Sequence, residues 1–161
     1  MNYLGYDEKK LSKVAASLND LLSNYHVYYQ NLRNFHWHVT GQNFFDLHVK
    51  FEELYNDAKV KIDDIAERIL TLRHSPEGMM SQYLKQSEIA EADERESQKM
   101  VARLLENHRI LIKKMRAVLK NAAKADDEGT IDMIGGFLEN LEKSSWMLDA
   151  WNSRGKNPYK K

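Results

Sequence analysis

Four residues between positions 48 and 67 have the side chains and the spacing of metal ligands: His48 with Glu52, and Asp63 with Glu67. Each pair is i,i+4, which puts both side chains on one flank of an α-helix at about 100° per residue. Imidazole and carboxylate together make a mixed nitrogen and oxygen donor set. Such a set suits Fe(II), Mn(II) or Zn(II) better than Ca(II) or Cu(I); iron is the first reading, with zinc or manganese as alternatives. At about 1.5 Å per residue, His48 and Asp63 stand roughly 22 Å apart along the axis, so one helix cannot close both pairs around one ion.

The two pairs are nevertheless mirror images. His48 with Glu67 and Glu52 with Asp63 share a midpoint between Asp57 and Ala58, as do Phe45 with Leu70 and Asn56 with Lys59 on the same flank. If two copies of the helix pack antiparallel about that midpoint, His48 and Glu52 of one chain face Asp63 and Glu67 of the other. Two identical sites result, each with room for one iron or two. Any single pair, taken alone, reads better as solvated helix surface; the mirror relation, and His36 just upstream, favour the metal.

The elements that must carry these residues follow from apolar periodicity. Leu11, Val14, Ala15, Leu18, Leu21, Leu22, Tyr25, Tyr28 and Leu32 recur at three and four, predicting a helix over about 7–34. Tyr25, Tyr28 and Tyr29 read as core or interface aromatics rather than redox groups. His36, Trp37 and His38 close that helix before Thr40 and Gly41, and Asn43 is placed to cap the next. The second helix spans about 44–73, with Phe44, Leu47, Phe51, Leu54, Ala58, Ile62, Ile65 and Ile69 on its core face. Ser75-Pro76-Glu77-Gly78 ends it. A long connection follows, in which 81–84 form one or two helical turns. A third helix is predicted over about 92–123, with His108 on its apolar face as a hydrogen-bonded core histidine, because no carboxylate stands at i±3 or i±4. A fourth covers about 129–151. Asp126, Asp127 and Glu128 precede it, where acids serve as caps and dipole partners. The tail 154–161 carries Arg154, Lys156, Lys160 and Lys161 and reads as mobile and basic.

A self-contained di-iron bundle needs a Glu-x-x-His motif on each of two helices, and the chain contains none. That favours a site shared by two chains. The length of 161 residues fits one domain with a proper core. There is no cysteine, which excludes disulfides, thiolate metal sites and cysteine nucleophiles. Lys plus Arg equals Asp plus Glu, so no global charge drives binding to nucleic acid or anionic membrane. No run of apolar residues is long enough for a membrane span, and residues 1–10 have no signal-peptide core. The default location is cytoplasmic, with no membrane partner.

The segments FHWHVTG, FFDLHVKFEEL and KIDDIAERI, set among four long helices with a short one between the second and third, resemble the Dps family of ferritin-like mini-ferritins. The resemblance covers nearly the whole chain. It implies an all-α, ferritin-like four-helix bundle as a single domain. It also implies a hollow homo-dodecamer with metal sites at two-fold interfaces, which oxidises Fe(II), preferentially with hydrogen peroxide, and stores ferric mineral. His36, Asp63 and Glu67 match the family's principal ligands, and His48 its second histidine. Glu52 stands where the family commonly has Asp; the longer carboxylate either binds a second iron or hydrogen-bonds a water. Trp37 matches a tryptophan beside the centre that acts as electron donor or radical sink, with a packing role as the alternative. Asp126, Asp127, Glu128 and Asp132 would lie near acidic three-fold pores where iron enters. His38 has no counterpart role.

Two other readings stay open. Some family members compact DNA through basic extensions, and here the candidates are Lys9, Lys10, Lys13 and the tail, enough for weak, salt-sensitive contact with phosphates. Alternatively, the site holds structural zinc in a helical assembly that turns nothing over.

Overall fold

The computed structural model describes residues 3–153, 155–157 and 159; Arg154, Lys160 and Lys161 of the basic tail lie outside them. Among the described residues there are five helices: α1 (Glu8–His38), α2 (Phe44–Thr71), α3 (Met80–Gln86), α4 (Ser97–Lys124) and α5 (Glu128–Asn152). The four long ones form an all-α bundle, and α3 is the short extra helix in the α2–α4 connection. α1 packs on α2 and α4, and α4 on α5. Side chains close the ring between α2 and α5, with Lys61 Nζ 3.4 Å from Asn140 Oδ1 and Arg68 paired to Asp127. The stripe Phe51, Ala58, Ile65 and Ile69 is fully buried against Leu18, Leu21, Leu32 and Phe35 of α1, as its spacing predicts.

α1 starts at Asp7, whose side chain accepts from the Lys10 amide at 3.0 Å. It runs on to His38, so His36 and Trp37 are residues of its last turn and close the helix, as expected. The chain then reverses within five residues. Gly41 takes φ +88°, open to glycine at no steric cost, and the Phe44 amide bonds Gly41 O at 3.1 Å. Asn43 holds the N-cap position of α2, but its side chain makes no capping bond, contrary to expectation. Its backbone sits at φ −95°, ψ 13°, outside the extended region from which a cap side chain reaches the free amides.

α4 begins at Ser97, five residues later than the apolar pattern suggests. Three asparagines of α1 explain the delay. Asn24 Oδ1 accepts from the amides of Glu88 (3.0 Å) and Ile89 (3.1 Å). Asn31 accepts from the Ala92 amide (2.9 Å) and donates to Ala90 O (2.9 Å), and Asn34 donates to Ala92 O (2.8 Å). With its backbone groups satisfied in this way, the strap over 87–96 stays non-helical while passing over the bundle.

Among the described residues no helix is long and apolar enough to cross a membrane.

Candidate metal centre

The α1–α2 reversal sets His36 beside His48. The two residues clasp each other: His36 Nδ1 donates to His48 O at 2.8 Å and His48 Nδ1 donates to His36 O at 2.9 Å. A carbonyl oxygen only accepts, so in both rings Nδ1 carries the hydrogen and the Nε2 lone pair is free. The rings stack 3.8 Å apart at 22°. Phe44 stacks on the other side of His48 (4.8 Å, 24°), and Tyr55 meets His36 edge-on (5.3 Å, 85°). Both imidazoles are thereby fixed in tautomer and orientation before any ion arrives, the preparation that outer partners give a metal-binding histidine.

Glu52 follows one turn after His48 and is exposed. The Tyr55 hydroxyl donates to its Oε1 at 3.1 Å; desolvation first, then this bond and the Glu52 charge, raise the Tyr55 phenol above its ordinary pKa. Asp63 and Glu67 lie farther along α2, exposed, and neither carboxylate has an ion-pair or hydrogen-bond partner among the described residues. Within one chain no three His, Asp or Glu side chains of the described residues come together. The structure brings His36 and His48 together, with Glu52 one turn on along α2, and leaves Asp63 and Glu67 apart from them, so within one chain the five candidate ligands do not converge.

The α2 face bearing the candidate ligands also exposes large apolar side chains, beside the polar Asn56 and Lys59. Phe45 is 80% exposed, Val60 59% and Leu70 58%, on a helix whose opposite side is fully buried. Phe45 and Leu70 are one of the mirror pairs about the Asp57–Ala58 midpoint.

Trp37 is 55% exposed and so does not fill the bundle core. The Arg33 guanidinium covers it at 4.8 Å from the ring centroid and also stands 5.4 Å from the Tyr29 ring. His38 is exposed and bonded through Nδ1 to Asn34 O at 2.8 Å, away from the histidine pair.

The four acids of the predicted pore divide in two. Asp126, Glu128 and Asp132 are exposed. Asp127 is fully buried: it caps α5 by accepting from Thr130 N (3.1 Å) and Thr130 Oγ1 (2.6 Å), and it pairs with Arg68. Its carboxylate is committed to structure.

Sequence reasoning missed Tyr55, which braces both His36 and Glu52. The available signal was its i+3 position from Glu52 on the same helix. It missed Lys61 as well, which is buried and paired with Asp57 at 2.5 Å, a partnership also visible only as an i,i+4 spacing.

A ferritin-like domain model matches residues 15–157. The DNA protection during starvation protein of Porphyromonas gingivalis is 40% identical over 151 residues, covering 93% of this chain and 95% of that one. Among solved structures, the Dps protein of Vibrio cholerae O1, described as a member of a superfamily of ferritin-like diiron-carboxylate proteins, superposes with TM-score 0.91 at 41% identity over 94% of this chain and 96% of that one. Dps from Staphylococcus aureus gives TM-score 0.86 at 36% identity over 92% and 99%. The chain belongs to the ferritin-like family and, within it, to the Dps proteins.

Proposed function

We propose that the protein is a ferroxidase and iron store that works as a homo-oligomer, a hollow dodecamer on the family's pattern, in the cytoplasm. The observation that carries this reading is the pair of half-sites on α2. His36 and His48 hold open Nε2 atoms at one end, two unpartnered carboxylates stand at the other, and the spacing is symmetric about a point where a second copy would place them together. The apolar Phe45, Val60 and Leu70 give that antiparallel contact its driving force.

Iron is the substrate. His36, His48 and, across the two-fold, Asp63 and Glu67 bind Fe(II), with Glu52 as the further carboxylate held by Tyr55. Two Fe(II) give two electrons to one hydrogen peroxide, which takes up two protons and leaves as two waters; no hydroxyl radical is released when both electrons come from one site. Anionic oxygen ligands favour Fe(III) over Fe(II), and this drives the oxidation. The exposed Asp126, Glu128 and Asp132 attract Fe(II) toward the interior, and Trp37 stands ready as an electron donor near the site.

The test is anaerobic Fe(II) loading followed by stoichiometric hydrogen peroxide or air, read by ferric absorbance, with Asp63→Ala as control. Fast oxidation at about two Fe(II) per peroxide, lost in the variant, is the expected result. Oxidation at the buffer rate in both proteins would overturn the reading and leave structural zinc as the better one.

A second reading has one observation in its favour: Lys10, Lys13 and Lys124 border a common surface depression. Weak DNA binding there would appear as gel retardation that disappears as salt rises; no retardation at low salt would exclude it.

A further inference from the structure

Tyr28 lies in the bundle core, 2% exposed, with its hydroxyl 2.7 Å from Nε2 of His108 on α4. The direction of this bond is determined by its surroundings. Ser145 Oγ donates its one hydrogen to Leu141 O at 2.7 Å, so toward His108 Nδ1, at 2.8 Å, it can only accept. His108 therefore carries its hydrogen on Nδ1, Nε2 is a bare lone pair, and the Tyr28 O–H donates to it. Burial, with Lys61 nearby, pushes the His108 pKa down to about 3, so the imidazole is neutral and ready to accept.

The other buried phenols differ. The Tyr25 hydroxyl, on a ring 6.0 Å from that of Tyr28, has no hydrogen-bond partner among the described residues. The Tyr83 hydroxyl donates to the Glu77 carbonyl at 2.6 Å, which cannot take a proton. Among these, Tyr28 alone has a base to receive its proton. Aromatic rings lead from the candidate metal centre as far as Tyr29, the neighbour of Tyr28, and the last step to Tyr28 runs along the α1 backbone. Tyr55 stands edge-on to His36 at 5.3 Å and to Tyr29 at 6.1 Å, and Tyr29 is the next residue to Tyr28 in α1.

We propose that Tyr28 is a redox-active residue that supplies one electron to peroxide reduction when a site holds a single Fe(II), passing its phenol proton to His108 as the electron leaves. The step balances: Fe(II) and Tyr28 each give one electron, hydrogen peroxide takes both as its O–O bond breaks and becomes two hydroxide ions, which solvent protons neutralise, and Fe(III), a neutral tyrosyl radical and a protonated His108 remain. The weak basicity of His108 suffices, because an oxidised phenol is a strong acid. Tyr55 and Tyr29 are the stepping stones. This function complements Trp37, which is exposed and has no such base, and it rests on the iron–peroxide reading above.

The experiment has two arms. In the first, protein loaded with one Fe(II) per site meets excess hydrogen peroxide and is freeze-quenched for electron paramagnetic resonance, with ring-deuterated tyrosine to identify the radical. In the second, iron-free protein is oxidised by flash-generated tris(bipyridyl)ruthenium(III). A tyrosyl signal in both arms, lost in Tyr28→Phe and lost in His108→Gln, is expected; glutamine keeps an acceptor for the hydroxyl but not a base. Elution volume and near-ultraviolet circular dichroism matching wild type show that both variants fold. A signal unchanged in Tyr28→Phe, or one that His108→Gln leaves intact, overturns the proposal, as does a radical confined to Trp37 in the first arm. If the second arm gives the Tyr28 radical and iron is not oxidised in the first, the ferroxidase reading fails and the Tyr28–His108 assignment as an oxidisable pair survives.

Discussion

Arg68 of α2 and Asp127, the cap of α5, form an ion pair that locks the carboxylate-bearing end of one helix to the first turn of another. Asp127 is wholly buried and Arg68 largely so; Arg68 Nε also donates to Thr130 Oγ1 at 2.9 Å, so three side chains share the contact. A Cβ on Gly129 would stand 2.8 Å from the Arg68 guanidinium, so glycine there makes room for the pair.

Removing Asp127 leaves a buried guanidinium without its counter-charge and α5 without its cap. Asp127→Ala is expected to destabilise the protein by about 3 kcal/mol. Gly129→Ala, which only pushes the flexible end of Arg68 aside, is expected to cost about 1 kcal/mol. Denaturant titrations at equal protein concentration check both. If Asp127→Ala leaves stability unchanged while Asp126→Ala and Asp132→Ala lower it, the division of these acids into one buried structural carboxylate and three exposed ones is wrong.

The fold was readable because four apolar stripes at helical spacing leave little choice about what packs inward. The placement of the candidate ligands along α2 was readable for a related reason: α2 is regular over its whole length, so residue spacing converts directly into position. What escaped detection depends on contacts distant in sequence. Nothing local to 92–96 says that these residues stay non-helical, because the cause is the asparagines of α1 some sixty residues earlier. Asp127 likewise reads as one acid among four until Arg68 meets it in space, and the histidine clasp needs the Gly41 reversal to bring position 36 against position 48.

Asn24 offers a direct test of that long-range control. Its Oδ1 accepts from the Glu88 and Ile89 amides and its Nδ2 donates to Asp20 O at 2.8 Å, all on a side chain with no exposure. Asn24→Ala strands those amides and is expected to cost about 2–3 kcal/mol. Hydrogen exchange should locate the damage: amides 88 and 89 lose protection first, while the centre of α2 keeps its own. Uniform loss across all helices would argue against the strap being held from α1.

The core histidine gives stability a pH dependence of known sign. His108 has a folded pKa of about 3 against 6.5 for a free imidazole, so the unfolded chain binds a proton that the folded one refuses. Stability from this group is complete above about pH 6.5 and falls as the pH drops from there toward 3, by on the order of 4 kcal/mol across the window. His108→Gln removes the titration while keeping a polar partner for Tyr28. Its stability should therefore fall less steeply than that of wild type between pH 6.5 and 3, as measured by urea unfolding at a series of pH values. Parallel slopes in the two proteins would mean that His108 does not stay neutral in the folded state.

The claim that each iron site needs two chains can be tested by mixing two inactive variants. His48→Ala loses the histidine half-site and Asp63→Ala the carboxylate half-site, so each pure variant has no complete site. In a dimer containing one chain of each, one site combines both lesions while the other pairs the intact His48 of the Asp63→Ala chain with the intact Asp63 of the His48→Ala chain. Random association makes about half the dimers mixed, each with one whole site of two, so co-assembled protein should regain about a quarter of the wild-type Fe(II) sites. Anaerobic Fe(II) titration after co-refolding measures the recovery without depending on any oxidation rate. Recovery near zero, with assembly intact, would overturn the shared site and with it the pairing of His48 with the partner copy's carboxylates.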